Sequence, residues 1–135
     1  VLLADKDAAA FDAVMVAYRL PKGEDGSNAR SEAIRKATIG AALAPLETIH
    51  AALGLMNDLL QLSRHCNANA LTDLAASAEL ALSAAKIAQL NVMINTQYIN
   101  GDDVDLIDHD TEKAINECNE LDHVLRATYT ERLGW

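Results

Sequence analysis

Residues 72–98 read TDLAASAELALSAAKIAQLNVMINTQY. Seven alanines fall between Ala75 and Ala88, and alanine is the strongest helix former. Thr72 is the expected N-cap, and Asp73 places a negative charge in the first turn, where the helix dipole favours it. The helix is predicted to run to about Tyr98. Small side chains let neighbouring helices approach closely, so this stretch is read as the central element of an all-α bundle.

Working outward, the Asn-rich segment His65 to Leu71 is a predicted loop. Before it, Ile49, Leu53, Met56, Leu59, Leu60 and Leu62 form the apolar set of a helix from Leu46 to about Arg64. Proline lacks an N–H and clashes with the preceding turn, so Pro45 predicts a kink or break near Ala44. A further helix, capped by Ser27 or Asn28, carries Ile34, Ile39 and Leu43 towards that break. The first helix is predicted over Val1 to Arg19, with Leu3, Asp7, Phe11, Val14, Met15 and Tyr18 on one face. Leu20-Pro21 stops it, and Pro21 to Ser27 is a loop. Downstream, Asn100-Gly101-Asp102-Asp103 is a turn. The last helix is predicted from about Asp110 to Leu133, with Ala114, Ile115, Cys118, Leu121, Leu125 and Tyr129 as its seam. Five helices with short connections favour antiparallel neighbours in one domain over residues 1–135.

The composition agrees with that class. The 135 residues include 25 alanines and two prolines, and aromatics make up only 4%. No segment alternates apolar and polar long enough to read as a strand. No apolar run was found to approach the roughly 20 residues that span a bilayer, and no membrane partner is expected. A net charge of -9 argues against a nucleic-acid binder, because phosphate neutralisation needs a surplus of Lys and Arg. Cys66 and Cys118 lack a CxxC spacing and fit a reducing compartment, the cytoplasm.

Few residues offer chemistry. Asp7 lies four positions before Phe11, on the apolar stripe, where desolvation would raise its pKa towards a value useful in general acid–base work. The alternative is a carboxylate at a frayed helix end, or one paired with Lys6. Asp73 and Asn91 are eighteen residues apart and return to one face, with Ser77 and Asn95 close to that line. At about 1.5 Å per residue they stand roughly 27 Å apart, too far to hold one small group. Interhelical hydrogen bonding is the plainer role for them. His50, His65, His109 and His123 show no spacing suited to a metal, and none is expected. Lys22, Arg30, Arg35 and Lys36 cluster around the first loop, either as a solvated face or to meet an anionic substrate tail.

Several stretches together resemble one family. Asp7-Ala8-Ala9-Ala10-Phe11-Asp12-Ala13-Val14-Met15, with Ala17-Tyr18 and Leu20-Pro21-Lys22, resembles the D-x-x-A-F-D-A-V-M…A-Y…L-P-K signature of the cyclodeaminase/cyclohydrolase family. Pro45-Leu46 resembles its mid-helix V-P-L. The run Asn67-Ala68-Asn69-Ala70-Leu71-Thr72-Asp73 resembles its G-N-x-N-x-x-S-D turn, with Thr72 for the usual Ser and Cys66 for the usual Gly. Leu90-Asn91-Val92-Met93-Ile94-Asn95 resembles its L-N-V-x-x-N segment.

The resemblance implies a helical homodimer acting on folate, with no cofactor beyond the tetrahydrofolate substrate. The reaction would be cyclodeamination of 5-formiminotetrahydrofolate or interconversion of the methenyl and 10-formyl forms. It makes Asp7 the catalytic position and Asp73, Asn91, Asn95 and, more weakly, Lys22 pocket residues. Family members begin with a helix and a P-G-G-G-S-type loop that this sequence does not match, so the chain is expected to be N-terminally truncated. The rival reading is a non-catalytic helical assembly or regulatory module on the same scaffold.

Overall fold

The computed structural model describes residues 2–22 and 27–134. Val1 and most of the loop expected over Pro21 to Ser27 lie outside the described residues. Four α-helices appear among them: α1 (Leu2–Tyr18), α2 (Ser27–His65), α3 (Leu71–Thr96) and α4 (Asp102–Leu133), with a 3-10 turn at Ala68–Ala70. The class is all-α as expected, with four helices in place of five.

The difference lies at Pro45. A kink or break is expected near Ala44; there is no break, and α2 runs through the proline as one helix of 39 residues. Packing holds the two halves together, because Ala41, Ala42, Ala44, Leu46 and Ile49 on both sides of Pro45 are buried. α2 packs against each of the other three helices, and α3 also packs against α4. One window of α2 is also, by length and composition, apolar enough to cross a membrane, contrary to the sequence reading. Of that window 44% is buried inside the bundle, because its apolar side chains form the core.

Polar ties between the helices fix their directions. Lys6 pairs with Glu47, while Arg30 reaches the Tyr18 and Leu20 carbonyls at 3.0 and 3.1 Å, so α1 is antiparallel to α2. Arg126 of α4 pairs with Glu79 of α3. Arg35 holds Asp103, and near the opposite ends Arg132 donates to the Ser63 and Cys66 carbonyls at 2.5 and 2.8 Å. α4 therefore runs parallel to α2 and antiparallel to α3. Arg30 and Arg132 each satisfy carbonyls that a helix C-terminus leaves without an N–H.

Two boundaries moved. Thr72 is not an N-cap but lies inside the first turn of α3, whose N-cap Ala70 makes no side-chain cap bond. The 3-10 turn, capped by Asn67 accepting from the Asn69 N–H at 3.0 Å, delivers the chain already in helical conformation. α4 starts at Asp102, well before Asp110. Asp102, Asp103 and Asp105 occupy its first turn, and Val104, Ile107 and Thr111 point inward at helical spacing.

The α3–α4 turn is fastened to α2 by Arg35. Its guanidinium donates to both oxygens of Asp103, at 2.5 and 3.0 Å, and to the Asn100 carbonyl at 3.1 Å. That hydrogen bond, with its attendant charge, holds the Asp103 carboxyl below the usual carboxylate range. Gly101, at φ 136°, sits against it, and a Cβ there would meet Arg35 Nη2 at 2.7 Å. Gly101→Ala is expected to cost about 1–3 kcal/mol in urea unfolding, from backbone strain and the displaced guanidinium. A depressed folded pKa stabilises above the unfolded value and is lost as pH falls through the folded one. Asp103→Asn is therefore expected to lower the urea midpoint at neutral pH, the gap from wild type closing below the ordinary carboxylate range.

Candidate functional site

Between α1 and α3 runs an open groove floored by α2. Its floor is Ala41, Ala44, Pro45 and Thr48, all but Thr48 buried. One stretch, about 450 Å³, is walled by Leu3, Ala4 and Asp7 of α1 and by Ala84, Ile87, Ala88 and Asn91 of α3. A second, about 340 Å³, continues past Phe11 and Val14 to Ile94 and Asn95. Asp7 and Asn91 line both stretches. The volumes fall in the range of small-molecule sites. The groove exists because the floor is built from small side chains, which leave the space between α1 and α3 unfilled.

Asp7 shares the α2-facing stripe of α1 with Leu3, Ala10, Val14 and Ala17, of which only Ala17 is buried. Contrary to the desolvation expected from its stripe, Asp7 is exposed, and so are Phe11 (62%) and Met15 (38%). The side chains expected to desolvate it do not cover it in the single chain, because the floor opposite is alanine and proline. It is not paired with Lys6, which is engaged by Glu47. Among the described residues, Asp7 has no ion-pair partner.

Asn91 and Asn95 lie on the same wall, one turn apart. Asn95 Nδ2 donates to the Asn91 carbonyl at 2.8 Å and to the Ala41 carbonyl of α2 at 3.4 Å. Thr48 Oγ1 donates to the Ala44 carbonyl at 3.3 Å. Pro45 and Thr48 were not foreseen as groove residues. The available signal was the mid-helix proline, which leaves the carbonyl four residues earlier in want of a donor.

Other expected site residues stand apart. Asp73 is exposed in the first turn of α3, at the opposite end of that helix from Asn95. Lys22 is exposed and lines neither stretch of the groove. The positive cluster is divided, since Arg30 caps α1 and Arg35 holds Asp103. His50 meets Asp110 at 3.0 Å, tying α2 to α4. Cys118 is buried in the core, which pushes its thiol up in pKa, with Glu117 adding to the shift. No group of three or more His, Cys, Asp or Glu able to hold a metal occurs among the described residues.

The model of the formiminotransferase-cyclodeaminase family matches residues 1–117. The chain belongs to that family. The solved structure of formiminotetrahydrofolate cyclodeaminase from Thermotoga maritima resembles this one with a TM-score of 0.84 at 23% identity. The match covers 98% of this chain and 63% of that one, so this chain spans less than two thirds of that protein's length. At this identity the likeness speaks for the fold. No curated protein matches the chain.

The core on which this family fold is built is expected to tolerate little. Met56→Ala, at a fully buried position of α2, should cost about 2–5 kcal/mol. Chemical denaturation measures it.

Proposed function

We propose that the groove binds a tetrahydrofolate derivative and that Asp7 moves the proton in forming or opening 5,10-methenyltetrahydrofolate. The observation that carries the reading is the unpaired carboxylate of Asp7 beside Asn91, in a groove with apolar walls, on a chain of this family. A flat heterocycle suits such walls, and a carboxylate within reach can serve as general base and then general acid.

In the deaminating direction, N10 attacks the carbon of the protonated formimino group on N5. Asp7 takes the N10 proton and gives it to the amino nitrogen. The bond from carbon to that nitrogen breaks, ammonia leaves, and the methenyl cation remains. In the hydrolytic direction, water adds to the methenyl carbon and loses one proton to solvent through Asp7. A second passes to N5 as its bond to carbon breaks, giving the 10-formyl form. Asn91 and Asn95 orient the heterocycle. Asp73 and Lys22 have no place in this groove of the single chain, and the reading assigns them no step.

The partner we propose is a second copy of the chain. α3 leaves Leu80, Ile87, Leu90 and Ile94, which share one face at helical spacing, each more than 60% exposed, and grouped exposed apolar side chains mark interaction surfaces. The free thiols Cys66 and Cys118 support a reducing compartment, the cytoplasm.

Asp7→Asn is expected to lower kcat by about 100-fold or more, followed by absorbance of the methenyl product. Thermal stabilisation by tetrahydrofolate should persist, worth about 2.7 kcal/mol at a hundredfold excess over Kd. Near-normal turnover by the variant would remove Asp7 from this role. The exposure of Asp7 favours the second reading, a helical assembly module without catalysis. That reading predicts no stabilisation by tetrahydrofolate in the wild-type chain. Leu80→Asp, outside the groove, should shift the sedimentation mass from dimer towards monomer.

A further inference from the structure

We propose that Pro45 is a positioning residue that fixes Asn95 as a hydrogen-bond acceptor, so that the groove receives a ligand edge bearing N–H donors. Proline has no N–H, and the carbonyl that loses its helical donor is that of Ala41, four residues earlier. Ala41 is buried, where an unmet carbonyl is costly. The donor it finds is Asn95 Nδ2, across the helix interface at 3.4 Å. The same nitrogen donates to the Asn91 carbonyl at 2.8 Å.

Both partners are carbonyl oxygens, which only accept. The amide nitrogen must therefore face them, and the orientation of the Asn95 side chain is forced by its neighbours. Its two N–H groups are then committed. Oδ1, with two lone pairs, is the polar atom left to meet a ligand on the groove wall that Asn95 lines. Thr48 follows the same logic, since its single hydroxyl hydrogen goes to the Ala44 carbonyl and leaves the groove only lone pairs. The Asp7 carboxylate also only accepts. Three of the four polar side chains lining the groove thus offer acceptors, and Asn91 alone can also donate.

Such a lining matches a planar heterocycle with neighbouring N–H groups and disfavours an anionic edge. Given the folate reading, on which the choice of ligand rests, the 2-amino group of the reduced pterin is the donor seated against Asn95.

The test is calorimetric binding of tetrahydrofolate and of a 2-desamino-2-methyl analogue, which keeps the shape and lacks the amino donor. Asn95→Ala should weaken tetrahydrofolate about tenfold and leave the analogue within about twofold of wild type. Pro45→Ala returns an N–H to the Ala41 carbonyl and releases one bond of Asn95. It should keep or raise Tm while weakening tetrahydrofolate severalfold, whereas a merely structural proline would lower both together. Equal weakening of both ligands by Asn95→Ala, or a joint fall of Tm and affinity in Pro45→Ala, would overturn the proposal. If wild type binds neither ligand, the folate reading fails, and exchange of the Asn95 side-chain amide by NMR decides the orientation. Slow exchange in wild type and faster exchange in Pro45→Ala supports it; fast exchange in both overturns it.

Discussion

The small-residue face of α2 is the constraint from which the rest follows. Ala41, Ala42, Ala44 and Pro45 are all buried, and each gives the neighbouring helices little side chain to pack on. Close approach of α3 follows on one side. On the other, α1 cannot bury its stripe fully, because the surface it meets is too flat. The same alanines that hold the bundle together therefore leave a groove at Asp7.

Proline in the interior of a helix usually removes about 3 kcal/mol or more. Here the loss is offset on both sides. Leu46, Ile49 and Met56 bury the second half of α2 in the core, and Asn95 gives the Ala41 carbonyl a replacement donor. A fault in one helix thus becomes an attachment between two. The attachment sits at the groove wall, so the requirement of the backbone also sets which atom of Asn95 faces outward.

Three arginines serve at the helix ends, beside the ion pairs that tie the helix bodies together. Arg30, Arg35 and Arg132 bond carbonyls or carboxylates where α1, the α3–α4 turn and α2 terminate. The basic cluster near the first loop is for this reason structural in half its members. It leaves the acidic surface largely unneutralised, in keeping with the net charge of -9. Within the groove, Asp7 is the ionisable group, and its nearest basic neighbour in sequence is engaged elsewhere.

Helix class, the identity of the central alanine-rich element and the resemblance to a folate family were all legible in the residues, because propensity, capping and motif spacing are local or linear properties. Asp7, Asn91 and Asn95 were singled out the same way. Local rules failed where tertiary packing could override them. Pro45 predicts a kink or a break, but burial on both sides keeps α2 unbroken. Thr72 is the cap that local rules expect, but a preceding 3-10 turn makes that cap unnecessary. Asp7 was read as buried from its stripe, yet periodicity reports only direction, and the size of the opposing side chains decides whether a residue that points inward is covered. That Asp7 shares one groove with Asn91 and Asn95, far from it in sequence, while Asp73 and Lys22 do not, follows from the helix directions, which ion pairs between distant residues fix.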